Sequence, residues 1–420
     1  MKLFNNIIGY DDTKKTLERL IDVLNNKDKY EKLGSSIPHG LFMEGNPGTG
    51  KTTFALSILD NVINRNKYIL RKDESNGSFI KKIKDTFTKA IDNQPSIILL
   101  DDLDKFAKHE EYSSNEEEYV VVQSQLDRIK NDDIFVIATV NEDDNLPESL
   151  IRSGRFDIHL IIKNPNQSDS LKIIDYYLKK KKIDKDVNTN DISKILVGSS
   201  CADLEKVCNQ AGIYAGFNNK ESIGMDELVR ASLELKYDTN VEDINKDDKY
   251  SLNVAYHEAG HALVGHILEP GSISFITIAK SDSQTRGITI HHDNENYFSD
   301  IDFMITRIKT LLAGKAATEI IYHKCDVGAT SDIERAYRIA ERLIDDYCMN
   351  DFHSHTFYNR HGNKTYQYKD EEITKLISSY YQEVKNILID NKSTLDKLAN
   401  ELNNKKILFS NEIDNIIKGV

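Results

Sequence analysis

Apolar residues fall along this chain in two rhythms. Through residues 1 to about 165, short apolar runs at Gly40–Glu44, Tyr68–Arg71, Ser96–Asp101, Ile134–Thr139 and Ile158–Lys163 alternate with helix-spaced stretches. That alternation predicts a parallel sheet flanked by helices. Asn164-Pro165-Asn166 closes the series as a turn. From 167 to 238 the spacing is helical, with runs at Asp169–Lys182 and Ala202–Phe217, and Ser200 followed by Asp203 reads as a capping box. Residues 239–249 are polar and lack an apolar period, the mark of a linker. A long helix is then expected over Leu252–Leu268, stopped by Pro270-Gly271. Alternating strands follow at Ile273–Ala279 and Gly287–His292, then helices at Ile301–Tyr322 and Ser331–Tyr347 and amphipathic helical sequence to the end. The pattern divides the chain into 1–166, 167–238, a linker at 239–249, and 250–420.

Length agrees with several domains, since 420 residues at about 150 per domain gives roughly three. A hydrophobic content of 39% is ordinary for a globular chain and excludes disorder as the main state. Net charge is -13. Nucleic acid and anionic lipid are thereby disfavoured as main partners, because both require summed positive potential. The four cysteines, Cys201, Cys208, Cys325 and Cys348, show no CxxC spacing, so neither a disulfide framework nor a four-thiolate zinc site is expected. A reducing compartment fits. The apolar runs fall short of the about 20 residues that span a bilayer, and the start lacks a secretion signal. The acidic residues Glu110-Glu111 and Glu116-Glu117-Glu118 are expected in a solvated loop or helix end.

Gly45-Asn46-Pro47-Gly48-Thr49-Gly50-Lys51-Thr52 fits G-x-x-x-x-G-K-[ST] between an apolar strand and the helical run from Thr53. In that context the glycines let backbone N–H groups face phosphate oxygens, Lys51 neutralises the β and γ phosphates, and Thr52 offers its hydroxyl to magnesium. The run Ile97–Leu100 ends in two carboxylates, Asp101 for magnesium and Asp102 to orient the attacking water. Asn141 ends the next strand and can help polarise that water. Arg152 and Arg155 are candidates to reach a nucleotide held by a neighbouring subunit, or else form salt bridges such as one to Asp157.

His257-Glu258-Ala259-Gly260-His261 is H-E-x-x-H in a helical pattern. Positions four apart share a face, so both imidazoles can reach one metal with Glu258 beside it. Zinc lowers the pKa of its water towards 7, and Glu258 can take the proton during attack on a peptide carbonyl. The extended form of the motif fails, because Val264 and Ile267 stand where Gly and His are needed. A third ligand must come from elsewhere, and spacing leaves Glu319 and Asp332 both open. His353, His355 and His361 read as a solvated loop.

The blocks Ile8-Gly9, Gly45–Thr52, Ile97–Asp102, Ala138–Asn141, Arg152–Asp157 and Gly198–Leu204, in this order, resemble the AAA+ module of the FtsH family of ATP-dependent zinc metalloproteases. The H-E-x-x-H downstream extends the resemblance over nearly the whole chain. It implies a multidomain α/β P-loop AAA+ ATPase with a small helical lid, followed by a mainly α-helical zinc peptidase domain. It implies ATP with Mg2+ held at Ile8, Gly9, Gly45 to Thr53, Asp101 and Asn141, and arginines 152 and 155 acting across a homohexamer interface. It further implies zinc on His257, His261 and Asp332, with Glu319 beside the ligands, and protein substrates pairing with the strand at His291-His292. Family members carry two transmembrane helices ahead of the ATPase and face the cytoplasm. None lies in this chain, which is expected to be cytoplasmic, either truncated or a soluble relative.

Two further departures shape the expected activity. Asp102 stands where the family has glutamate, one methylene or about 1.5 Å shorter, so slow ATP hydrolysis is expected. The family's aromatic-x-Gly pore loop should lie between Ile69 and Lys82, where Phe79 is the sole aromatic. Phe79, with Ile80, Ile83 and Phe87 at helical spacing, reads as core, so grip on substrate is expected to be weak. A rival reading is a nucleotide-switched remodelling protein with a secondary or inactive peptidase part.

Overall fold

The structure, a computed structural model of the chain, is described for residues 3–73, 76–107, 109–110, 113–114, 117–141, 146–151, 154–239, 250–280, 286–291, 300–324, 327–349 and 363–419. Arg152, His292, Cys325, His353, His355, His361 and all but the first residue of the proposed linker lie outside these residues. The chain divides into two compact units, one of residues 1–189 and 196–224, the other of residues 190–195 and 225–420.

In the first unit, α1 (Asp11–Asn25) and α2 (Lys27–Glu31) precede β1 (Gly40–Glu44), α3 (Lys51–Asn61), β2 (Asn66–Leu70), α4 (Asn76–Asp92) and β3 (Ser96–Leu100). A small hairpin of β4 (His109–Glu110) and β5 (Ser113–Ser114) leads to α5 (Glu117–Arg128), β6 (Ile134–Val140), α6 (Glu148–Ile151) and β7 (Ile158–Ile161). The five long strands form one parallel sheet in the order β2-β3-β6-β1-β7. β3 and β6 are buried along their whole length, as the continuous apolar runs demand of strands covered on both faces. Then come α7 (Gln167–Leu178) and α9 (Cys201–Phe217), while α8 (Thr189–Ile195), all but its first residue, belongs to the second unit. Ser200 and Asp203 make the reciprocal capping bonds that the sequence predicts for α9.

Phe79, Ile83 and Phe87 are fully buried along α4, and Phe79 meets Phe106 edge to face with centroids 4.9 Å apart. The segment between β2 and α4 is fastened down as well. Arg71 binds Asp101, and Lys72 Nζ donates to the Phe106 carbonyl at 2.5 Å and to Glu118 Oε1 at 3.3 Å. Glu118 therefore corrects the expectation of a solvated acidic run: it sits in the first turn of α5 but is buried against Lys72, because a buried carboxylate is retained where a cation meets it.

The second unit contains α10 (Met225–Tyr237), α11 (Ser251–Leu268), β8 (Ile273–Lys280), β9 (Arg286–His291), α12 (Ile301–Tyr322), α13 (Thr330–Asp345), α14 (Asn363–Asp390), α15 (Lys392–Lys405), β10 (Ile407–Phe409) and α16 (Ser410–Lys418). α11 is buried on every face from Ala255 to His266 and is the central helix of this unit. Its Ala255, Ala259, Leu263 and Val264 pack among Ala313, Ala316 and Ala317 of α12 and Leu395, Leu398 and Leu402 of α15. A Cβ on Gly260 would stand 2.7 Å from the Ala313 carbonyl oxygen, so the close α11–α12 crossing requires glycine there. β10, three residues long within sequence read as helical, joins an antiparallel sheet ordered β10-β8-β9. Its backbone pairing with β8 overrides the local helical pattern, as tertiary context does for short segments. Among the described residues no helix is long and apolar enough to cross a membrane.

Candidate functional site

The phosphate loop lies between β1 and α3, at the carboxyl ends of the parallel strands where open α/β sheets bind ligands. Gly50 takes φ +94 as the residue before α3, which a side chain would strain, and no side-chain oxygen caps that helix. The first-turn N–H groups of α3 are thus available to an anion. Lys51 is buried and donates from Nζ to the carbonyls of Gly45 (2.6 Å) and Asn46 (2.9 Å), curling over the loop. Burial pushes its pKa down, against the pull of Asp102 and Asp104.

Asp101 is buried at the end of β3. Its Oδ1 accepts from the hydroxyls of Thr52 (2.8 Å) and Thr139 (2.8 Å), and its Oδ2 from Arg71 Nε (2.9 Å) and Nη2. Burial alone would raise its pKa, but these bonds, Arg71 foremost, hold it below the usual carboxylate range. Asp102 follows with φ +55 and accepts from Lys105 Nζ at 2.7 Å, while its N–H donates to Thr139 Oγ1 at 2.9 Å. Asn141 donates from its N–H and from Nδ2 to the Asp104 carboxylate, both at 3.3 Å. The Ile8-Gly9 segment is pinned beside α7, where Tyr10 N donates to Asp169 Oδ2 at 3.0 Å. Arg155 meets Asp127 through two parallel 2.8 Å bonds, a fork-on-fork pair, while Asp157 accepts instead from Gly154 and His39.

The second site is built on three helices and a strand. His257 and His261 lie one turn apart on α11, and Asp332 stands in the first turn of α13. Their ligand atoms converge: His257 Nε2 to His261 Nε2 is 3.1 Å, and Asp332 Oδ2 is 3.2 Å from each ring nitrogen. Ligands about 2.0 Å from a tetrahedral zinc ion are separated by about 3.3 Å, so three corners of such a cage are already in place. Among the described residues this is the sole cluster of metal-ligand type. His261 Nδ1 donates to the Thr310 carbonyl at 2.6 Å, which leaves Nε2 unprotonated for a metal. Burial lowers the His261 pKa, yet Asp332 and Glu258 outweigh it and carry it to about 9, a mark of the negative surroundings of a position that favours a cation. A Cβ at Gly314 of α12 would lie 2.5 Å from both Nε2 atoms, and glycine there makes room for the cage.

Glu258 is buried beside the imidazoles, and burial pushes its pKa up. Thr289 of β9 donates to its Oε2 at 2.5 Å, and Gly287, at φ +87, lies so close that a Cβ there would collide with Oε1. Glu319 is turned elsewhere, accepting from Tyr381 (2.5 Å), Lys385 (2.7 Å) and Lys315 (3.0 Å). Of the two carboxylates that spacing left open, the fold brings Asp332 to the imidazoles. Arg71, Thr139, Thr289, Thr310 and Gly314 escape motif reading. The one available signal was Thr139, a polar residue near the end of the otherwise apolar strand Ile134–Val140.

A parallel-sheet phosphate loop and a histidine, histidine, aspartate cage on one chain define a nucleotide-driven metallopeptidase. Residues 41–164 match the ATPase family associated with various cellular activities (AAA), and residues 244–416 match peptidase family M41. The chain is 30% identical to the ATP-dependent zinc metalloprotease FtsH 2 of Thermoanaerobacter sp. (strain X514), over 98% of this chain and 82% of that protein. It is 27% identical to FtsH 1 of Thermomicrobium roseum over 98% of this chain and 67% of the relative, and 27% identical to FtsH of Endomicrobium trichonymphae over 99% and 70%. The chain belongs to the FtsH family. It is an ATP-dependent zinc metalloprotease, with zinc and ATP as cofactors and Mg2+ the usual companion of the nucleotide.

Proposed function

We propose that His257, His261 and Asp332 hold the zinc ion, that Glu258 is the general base, and that Gly45 to Thr53, Asp101 and Asn141 form the nucleotide site, with Ile8 and Gly9 beside the adenine. The observation carrying this reading is the mutual 3.1–3.2 Å spacing of three ligand atoms from two distant helices. Zinc, when bound, polarises the peptide carbonyl and lowers the pKa of water. The chain's own groups supply the rest. Burial raises Glu258 above the usual carboxylate range, which favours its taking a proton, and Thr289 holds its Oε2. β9 is the edge of its sheet, so an extended substrate can add to it as a further strand above Glu258. The intact set of His257, Glu258, His261 and Asp332 favours retained proteolysis over a remodelling role with an inactive peptidase.

The ATPase is slow in this reading, because Asp102 is short and is held by Lys105. Phe79 is a core residue, so substrates are chains already unfolded. The working state is a homohexamer facing the cytoplasm, in which residues 167–238 form the helical lid and 239–249 the linker. Arg152 and Arg155 reach the neighbour's nucleotide there, Arg155 exchanging Asp127 for phosphate. Zinc per chain, native mass, and casein cleavage by wild type and Glu258→Gln test the reading. One zinc per chain in a sixfold assembly, with cleavage lost in the variant, is expected; metal-free protein that cleaves casein equally with and without Glu258 would overturn it.

A further inference from the structure

Asp101 has no lone pair to spare. A carboxylate offers about four acceptor sites, and here Thr52, Thr139 and the two Arg71 donors take them all. The arginine arrives there by register: Leu70, the last residue of β2, pairs with Leu100, the last of β3, and Asp101 N donates to the Leu70 carbonyl at 2.9 Å. The residues that follow, Arg71 and Asp101, are therefore side by side whenever the sheet forms. Two N–H groups of the guanidinium converge on the one oxygen Oδ2, a charge-assisted contact stronger than a neutral hydrogen bond. The hydrated magnesium ion that accompanies ATP needs an oxygen of the same carboxylate and brings charge of the same sign as the guanidinium. With all four acceptor positions taken, magnesium must displace a donor, and of these Arg71 alone carries like charge.

We propose that Arg71 is a positioning residue of the nucleotide site, a resident cation that holds Asp101 through two bonds to Oδ2 and that magnesium must displace. The inference rests on the reading of Asp101 as the magnesium-side carboxylate. Lys72 stays bound to Phe106 and Glu118, so displacement frees the Arg71 side chain while its backbone remains anchored. The arginine head is half exposed and can swing into solvent.

A non-hydrolysable fluorescent ATP analogue, titrated with magnesium, reads this directly, and manganese bound per chain can be counted by electron paramagnetic resonance. Arg71→Met is expected to lower the half-saturating magnesium concentration about fivefold, the ratio a half-exposed ion pair supports, with nucleotide affinity in EDTA measured alongside to separate the metal effect from the nucleotide effect. Arg71→Lys, which keeps the charge without the fork, should fall between. Asp101→Asn should weaken metal binding in the same titration. If Asp101→Asn leaves the magnesium response at the wild-type value, the assignment of Asp101 fails and this proposal with it. If Asp101→Asn weakens the response but Arg71→Met leaves it unchanged or weaker, the role of Arg71 alone is refuted.

Discussion

The two sites of this chain are prepared in opposite ways. At the zinc cage three ligand atoms face one another across 3.1–3.2 Å, with Gly314 leaving space and Thr310 fixing the His261 tautomer. At the phosphate loop each of these polar groups is already satisfied by the chain itself: Lys51 by loop carbonyls, Asp101 by Arg71 and two threonines, Asp102 by Lys105, and the neutral Asn141 by Asp104. A permanent cofactor is best served by a preformed cage, whereas a ligand that must come and go can meet a site that closes on itself.

The sharpest cut through this contrast is at Glu258. Glu258→Gln should reduce casein cleavage by about 1000-fold while keeping zinc, whereas His261→Ala should lose both, as metal analysis beside the cleavage assay will report. Equal zinc loss in the two variants would mean that the general base is part of the cage. Phe79→Ala should cost about 3–5 kcal/mol in urea unfolding, because a fully buried ring leaves a cavity; a substrate-gripping aromatic could be removed without that cost. On the nucleotide side, Asp102→Glu should raise steady-state ATP hydrolysis by up to about 100-fold by restoring reach to the attacking water. Turnover unchanged in that variant would show that chain length at this position does not limit the site.

Gly314→Ala tests preformation directly. A methyl group 2.5 Å from both imidazoles should lower zinc affinity at least tenfold, measured by competition with a chelator. The smallest effect is expected at Glu319. Lys385, Tyr381 and Lys315 hold its pKa at about 2, well below its value in an unfolded chain. A depressed carboxylate stabilises the fold above the unfolded pKa and loses that contribution as pH falls through the folded one. Glu319→Gln should therefore be less stable near pH 7, by no more than about 1 kcal/mol given its partial exposure, and match wild type near pH 2. Zinc content that falls in this variant would place Glu319 back among the groups that support the cage.

Much of this is legible in the order of the amino acids. The phosphate loop and the H-E-x-x-H helix are local patterns, in which a strand-turn-helix or a spacing of four residues by itself sets the geometry. The central strands β1, β3 and β6 are legible too, since buried parallel strands are continuous apolar runs, whereas the edges β2 and β7 are more exposed and give a weaker signal. β10 is not, because three residues carry no period and their pairing with β8 is made from more than a hundred residues away. Glu118 reads as solvated because an acidic run looks alike whether or not a lysine from another element reaches it.

The sequence by itself therefore determined the two chemistries, as each depends on side chains within a few residues of one another. The approach of Asp332 to the imidazoles, 75 residues from His257, the arginine on Asp101, and the glycine that makes room beside the imidazoles were decided by tertiary structure alone. The reason is physical: bond directionality along one helix or turn is encoded locally, while a contact between elements exists only after the core has packed and fixed their separation.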